Sequence, residues 1–288
     1  MKSSDFWNPS ENTHTLVAIK GAGDLATGVI HRLVRSGFAV MATELAQPTV
    51  LRRSVALAEA VTLGQMTVED VSARLAASLK DIQAMIAGGF VPIVVDPDGI
   101  ILRQMQPTVL VEATLSKRNS GVTMLDAPIV IALGPGYEAG KDVHAVIETN
   151  RGHNLGRVYL QGCAEPDTGV PGTIGGYARE RLLRAPGAGI LYGMRQIGDT
   201  VQAGETVAVV RDTGTVFVSS QPTPVIAAIS GTLRGLVRDG LAVSAGMKVG
   251  DIDPRAVREH CFTISDKSRA VAGGVLEAIL YLLRQQPH

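Results

Sequence analysis

Five short apolar runs mark the first half of the chain: LVAI at Leu16–Ile19, FAVMATE at Phe38–Glu44, FVPIVVD at Phe90–Asp96, TVLVEAT at Thr108–Thr114 and APIVIALG at Ala127–Gly134. They show little polar alternation, as expected of strands covered on both faces in a parallel sheet. Between the first two, Leu25, Val29, Leu33 and Val34 recur near helical spacing and Gly37 supplies a stop. Helical pattern is also expected around Val50–Ala60 and over Val68–Ala87, where an alanine-rich stretch ends at Gly88-Gly89. This strand–helix alternation predicts an α/β fold, a Rossmann-like doubly wound parallel sheet over 14–136. Residues 1–13 read as a loose, disordered tail.

The rhythm then loosens. Residues 137–185 read as a glycine-rich connecting segment with polar loops, in which HAVIET and RVYLQG are strand-like. Beyond Ala185, short apolar pieces alternate with turn residues every eight to twelve positions, an all-β signal that runs over 186–254. Within it a GxxVxxGxxV spacing occurs twice, at Gly198, Val201, Gly204, Val207 and at Gly240, Val243, Gly246, Val249. The repeat resembles the halves of biotinyl and lipoyl carrier domains, which implies a small barrel-sandwich domain. Such carriers hold a modified lysine between the halves, and VRDTGTVFVSSQPTPVIAA contains none. Carrier chemistry is excluded on that ground. An amphipathic C-terminal helix over Asp266–Arg284, within 255–288, is expected to pack back on the α/β domain.

Composition narrows the function classes. Lys+Arg and Asp+Glu are balanced at 27 each, so nothing electrostatic favours a nucleic acid or an anionic membrane as partner. No stretch reaches the ~18–20 apolar residues of a membrane span, and the polar N-terminus lacks a signal-peptide pattern. A cytoplasmic protein is expected. Cys163 and Cys261 are nearly a hundred positions apart, without the paired spacing of a zinc site. Two reduced thiols and no metal centre follow.

The most informative local motif is GAGDLATG, directly after the first strand. Gly21 permits a tight turn, Gly23 lets backbone approach a phosphate, and Ala26 or Gly28 allows helix to pack on strand. Asp24 and Thr27 lie in the first helical turn, whose free amides favour an anion. Asp24 either stands close to that anion or caps the helix. Glu44, 23 positions after Gly21, stands where an acidic group accepts ribose hydroxyls. Gly21, Gly23, Asp24, Thr27, Gly28 and Glu44 are therefore the candidate ligand-binding residues. Arg52 and Arg53 would meet a phosphate or carboxylate, or else be solvated helix charges. GPGYEAGKD resembles a nucleoside-triphosphate loop but fails it. Six positions separate Gly134 from Gly140 instead of five, and Asp142 replaces the magnesium-holding Ser/Thr. An anion nest or a plain glycine turn remain.

Polar clusters at Ser116–Asn119, Glu148–Asn154 and Glu165–Gly172 supply the candidates for chemistry: Lys117, Asn119, Arg151 and His153. No nucleophile–base pair is legible from spacing. A site built from His144, His153 and Cys163 lacks ligand spacing.

Taken together, GAGDLATGVIHRL, PTVLRRSV, LGPGYEAGKDVHAVIETNRGHNLGRV, DTGVPGTIGGY, GDIDPR and ISDKSRAVAGGVLEAIL resemble the YqeB-type accessory family of selenium-dependent molybdenum hydroxylase systems. The resemblance runs from about Val17 to Leu280. It implies a Rossmann part like that of xanthine dehydrogenase accessory proteins. It also implies a role in maturation or activation of a molybdenum hydroxylase, with the apo-hydroxylase as partner and a homo-oligomer allowed. The ligand at the glycine turn would be a nucleotide, NAD(P) or similar, or a phosphate-bearing molybdopterin cofactor. VEATLSKRN departs from the family pattern, which has an Asp-Ala and an Ala-Lys pairing there, but keeps Lys117 and Asn119. Two other classes stand beside this one: an NAD(P)-dependent oxidoreductase, with Glu44 favouring NAD, and a non-enzymatic scaffold protein.

Overall fold

A computed structural model describes residues 15–212 and 221–286. The tail expected over 1–13 lies outside the described residues. The chain divides into two compact units. One comprises residues 1–46, 57–167 and 265–288; the other comprises 47–56 and 168–264. The segment 137–185 is thus shared between them.

The first unit is built on a nine-stranded sheet. Its elements begin with β1 (Leu16–Lys20), α1 (Asp24–Arg35), β2 (Ala39–Glu44), the short α2 (Ala60–Leu63), β3 (Gln65–Val68), β4 (Val71–Leu75), α3 (Leu79–Ala87) and β5 (Val91–Val95). After these come α4 (Ile100–Met105), β6 (Val109–Glu112), β7 (Ile129–Leu133), β8 (Glu138–Ala139), β9 (Ala145–Ile147), β10 (Val158–Tyr159) and β11 (Gly162–Cys163). The final α5 (Asp266–Leu283) completes the unit. The strand order is β10-β9-β7-β6-β1-β2-β5-β4-β3. All neighbours from β4 to β9 are parallel, while β3 and β10 close the two edges antiparallel. From β1 the chain turns first to β2 on one side and later to β6 on the other. β1 is therefore the strand where the order reverses, the position at which open α/β sheets bind ligands beyond their carboxyl ends.

Helices cover both faces. Ala18, Met41, Leu110 and Val130 form one core with Ile82 of α3 and Leu102 of α4. By strand alternation Val17 and Ile19 face the other way, towards the side of α1 and α5. α5 packs along α1 and against β7, β9 and β10. Each fully buried Ile or Leu of these cores contributes about 1.5–3 kcal/mol.

The expected fold class is corrected in three respects. The sheet is mixed, not parallel throughout. Its winding is also incomplete: the connections β6–β7 and β7–β9 carry no helix, and α5, from the far end of the chain, covers that half. Third, residues 68–87 are not one helix. Val68 and Val71 flank a hairpin turn in which Glu69 has φ +54°, and only Leu79–Ala87 is helical, started by the Ser78 hydroxyl accepting from the Asp81 amide. Alternation in VSARL (Val71 and Ala73 buried) decides for strand, where alanine content suggested helix.

The second unit holds β12 (Leu182–Arg184), β13 (Gly189–Gly193), β14 (Thr200–Val201), β15 (Thr206–Arg211), β16 (Thr223–Ile226), β17 (Gly231–Leu236), β18 (Ala242–Val243) and β19 (Lys248–Asp253). The two GxxV repeats build matching turns. Gly198, Gly204, Gly240 and Gly246 all have φ between +76° and +99°, and Val201, Val207, Val243 and Val249 are buried in one core with Leu191 and Leu233. The barrel-sandwich expectation is corrected all the same. Among the described residues the strands form two separate four-stranded sheets, β12-β19-β17-β14 and β16-β15-β13-β18, with no ladder joining them and no closed barrel.

Candidate functional site

The strands β1, β2, β5, β6 and β9 end in or run directly into a charged residue, Lys20, Glu44, Asp96, Glu112 and Glu148, and the acidic ones are tied to backbone. Glu44, ending β2, accepts from the Ala22 amide at 3.0 Å and the Leu45 amide at 2.8 Å. Asp96, after β5, accepts from Ile100 and Leu102 at 2.8 and 2.9 Å and so caps α4. Glu148, after β9, accepts from Asn150 at 2.7 Å and Glu165 at 2.8 Å. A buried carboxylate needs such donors to offset its desolvation. These acids first of all shape the loops that follow them.

The glycine turn sits at the reversal point. Gly21 has φ +95°, and a Cβ there would lie 3.2 Å from the Ala113 carbonyl oxygen, so only glycine fits between β1 and the loop after β6. Its amide donates to the Thr43 carbonyl at 2.8 Å. Gly23 is the N-cap of α1 with φ −65° and ψ −176° and brings no side-chain cap. Gly23 thereby offers no side-chain acceptor to the first-turn amides of α1. Asp24 does not cap the helix. It is the first helical residue, and its carbonyl accepts from the Ser268 hydroxyl at 3.3 Å.

Two residues of the expected ligand-binding set make packing contacts. Thr27 is fully buried; its hydroxyl donates to the Ala22 carbonyl at 3.3 Å and accepts from the Leu57 amide at 2.9 Å. Gly28 faces α5, where an added Cβ would stand 2.7 Å from Ser268 Cβ. Gly21, Gly23 and Glu44 do converge on one turn.

A cluster that sequence reasoning missed lies beside it. Lys20 and Glu112 end β1 and β6 and are register partners. Glu112 is buried at 2% exposure. Its carboxylate accepts from the Thr114 amide at 2.8 Å, the Ser120 hydroxyl at 2.9 Å and the Tyr137 hydroxyl at 2.5 Å. The Lys20 ammonium donates to Ser120 Oγ at 3.1 Å, and the Ser120 amide donates to the Tyr137 oxygen at 3.0 Å. Burial, reinforced by the bond to Glu112, pushes the Tyr137 phenol up to about 12. It stays a donor across the physiological range. The available signal was a charged residue closing each of two paired apolar strands, together with the tyrosine inside GPGYEAG.

The other sequence candidates are dispersed. Lys117, at φ +62°, pairs with Asp167 at 2.7 Å. The Asn119 side chain accepts from the Gly121 amide at 2.8 Å, which closes its own turn. Gly136 of the GPG loop packs on the backbone of Lys117 and Arg118. Arg151 makes a two-pronged bond to Asp266 at 2.8 and 3.1 Å, and His153 is exposed. Arg52 and Arg53 belong to the second unit. There Arg52 donates to the carbonyls of His260 and Thr263, and Arg53 to that of Leu236. His144 accepts the Val130 amide through Nδ1 at 3.0 Å, and burial holds its pKa low.

Among the described residues His144, His153 and Cys163 form no metal-binding group; the one that does come together is His31, Glu69 and Asp70. Arg269 and Arg35 already pair with those two carboxylates, and the bond from His31 lowers the pKa of Asp70. The cluster is compensated by its own cations.

Fold and site define an α/β protein whose polar groups converge where the central strand reverses the sheet order. Comparison with known proteins adds the following. No family model matches the chain. A curated relative from Escherichia coli K12, described as uncharacterized protein YqeB, is 47% identical over 272 residues. That match takes in 94% of this chain, which spans about half (48%) of the relative's length.

Among solved structures, an aspartoacylase family protein from Mesorhizobium loti is 12% identical, with 83% of this chain and 84% of that one covered and a TM-score of 0.30. A succinylglutamate desuccinylase/aspartoacylase from Rhodobacter sphaeroides is 13% identical over 83% and 84%, at 0.27. The tRNA N6-threonylcarbamoyladenosine dehydratase of E. coli is 12% identical over 96% and 89%, at 0.34. Likenesses at this level carry no argument about activity.

These findings correct the expected membership in a molybdenum hydroxylase accessory family. The relative's description, uncharacterized protein YqeB, assigns no such role. Among the described residues no helix is long and apolar enough to cross a membrane.

Proposed function

We propose that the first unit binds a phosphate-bearing small molecule of the nucleotide class at the β1–α1 turn. The observation that carries this reading is Gly23: an N-cap without a side chain, at the strand where the sheet order reverses. First-turn amides that receive no side-chain cap from Gly23, and the positive end of the helix dipole, favour an anion there. Glu44 supports a ribose partner. Each of its oxygens takes one backbone bond, and a carboxylate oxygen has a second lone pair to offer a hydroxyl. Maturation of a molybdenum hydroxylase is not part of this reading.

Titration with AMP, ATP and NAD by calorimetry tests it, with Gly23→Val alongside. The torsions of Gly23 are open to any residue, so the substitution adds no backbone strain, and its side chain blocks phosphate approach; circular dichroism checks that the variant is folded. Saturable binding by the wild type, lost in the variant, is expected. Binding unaffected by Gly23→Val, or none of the three ligands bound, overturns the proposal.

A further inference from the structure

The Lys20–Ser120–Glu112–Tyr137 cluster has the architecture of an activated nucleophile, and we infer that Ser120 is one, reacting with a phosphoryl-type electrophile. Three relationships carry the inference. Ser120 is exposed while the carboxylate it donates to, Glu112 at 2.9 Å, is buried. A nucleophile within hydrogen-bond reach of its base, with that base oriented by further groups, is the recurring signature of such sites. The orienting groups here are the Thr114 amide and the Tyr137 hydroxyl, both bonded to Glu112. The Lys20 ammonium stands 3.1 Å from the same Ser120 oxygen.

That cation decides the electrophile class. A hydroxyl between a carboxylate and an ammonium loses its proton to the first while its developing charge faces the second. The same ammonium attracts the non-bridging oxygens of an incoming phosphoryl group, which a neutral acyl carbonyl lacks. In the step, Ser120 Oγ forms a bond to phosphorus, the bond from phosphorus to the leaving group breaks with its electron pair, and the Ser120 proton passes to Glu112. Tyr137 is a positioning residue: it holds Glu112 and receives the Ser120 amide. The cluster lies beside the glycine turn through Gly21, which packs on Ala113 and Thr114. The inference nevertheless stands without nucleotide binding, because it rests on side chains that the turn does not supply.

The test uses the full chain and a fluorophosphonate probe, which gives a stable phosphonyl ester with release of fluoride and needs no nucleotide site. Peptide mass spectrometry is expected to place a single adduct on Ser120. Ser120→Ala abolishes it, whereas Ser116→Ala, an exposed serine of the same loop, retains it. Lys20→Met and Glu112→Gln are each expected to slow labelling at least tenfold. Lys20 is only partly buried, so its variant remains informative if Glu112→Gln does not fold. Tyr137→Phe is expected to shift the pH at which labelling is half-maximal, a change that a purely structural role would not produce. An unlabelled Ser120 in folded protein, or labelling as fast in Lys20→Met as in the wild type, overturns the inference.

Discussion

Gly28 of α1 and Ser268 of α5 meet where the two helices cross, so closely that a Cβ on Gly28 would lie 2.7 Å from Ser268 Cβ and 3.0 Å from the Ser268 carbonyl oxygen. The Ser268 hydroxyl turns back to the Asp24 carbonyl at 3.3 Å. The contact joins residues 240 positions apart and brings the last helix onto the first. Gly28→Ala is expected to destabilise the protein by about 1–3 kcal/mol through overpacking, read as a lower thermal midpoint. Adding Ser268→Gly should return part of that loss. An unchanged midpoint in the single variant would show that the helices separate freely.

Asp253 sets an acid limit on the second unit. It is fully buried; burial acts to raise its pKa, but bonds from Arg255 and the charge of Arg234 outweigh that and hold it at about 2. A folded-state pKa below the unfolded value means stability that is complete above about pH 4 and fades as pH falls towards 2. This group contributes roughly 2 kcal/mol to that pH dependence. Asp253→Asn strands the buried Arg234 and is expected to cost about 3–5 kcal/mol at neutral pH. In denaturant titrations of both proteins the gap should narrow by roughly 2 kcal/mol as pH drops from 5 to 2; a gap that stays constant contradicts the assignment.

The pair between Arg151 and Asp266 fastens the loop after β9 to the start of α5. Asp266 is 69% exposed on its side chain, so solvent screens the pair. Arg151→Ala is expected to cost no more than about 1 kcal/mol and to leave nucleotide affinity as it was. A tenfold loss of affinity would return Arg151 to the ligand site.

The two thiols differ in reach. Cys163 is exposed and Cys261 buried, and burial pushes the Cys261 thiol up. A thiol-specific reagent at pH 8 should modify Cys163 rapidly and Cys261 only on unfolding, since the thiolate is the reactive form. Two fast equivalents would mean that the core around Cys261 opens readily.

Much of the local structure was written along the chain. The apolar runs ending at Lys20, Glu44 and Glu112 are strands, because short unbroken apolar segments bounded by turn residues suit a strand buried on both faces. Gly198, Gly204, Gly240 and Gly246 adopt the positive φ that their repeat implied. The turn at Gly21 and the placement of Glu44 against it follow from the same local reasoning. Where propensity and periodicity competed, over residues 68–87, composition misled, since alanine tolerates a strand once its alternate neighbours are buried.

What tertiary structure alone decided is which of these pieces touch. β1 lies in register with β6, 89 positions away from Lys20 to Val109, and that pairing brings Lys20, Glu112, Ser120 and Tyr137 together. No periodicity encodes it, because register depends on burying two faces of a sheet at once. Gly28 likewise looked like part of a phosphate motif, and a helix from the other end of the chain claims it. Local sequence determines the torsions each residue can adopt; only close packing across the fold, where every buried polar atom must find a partner, determines which side chains share a site.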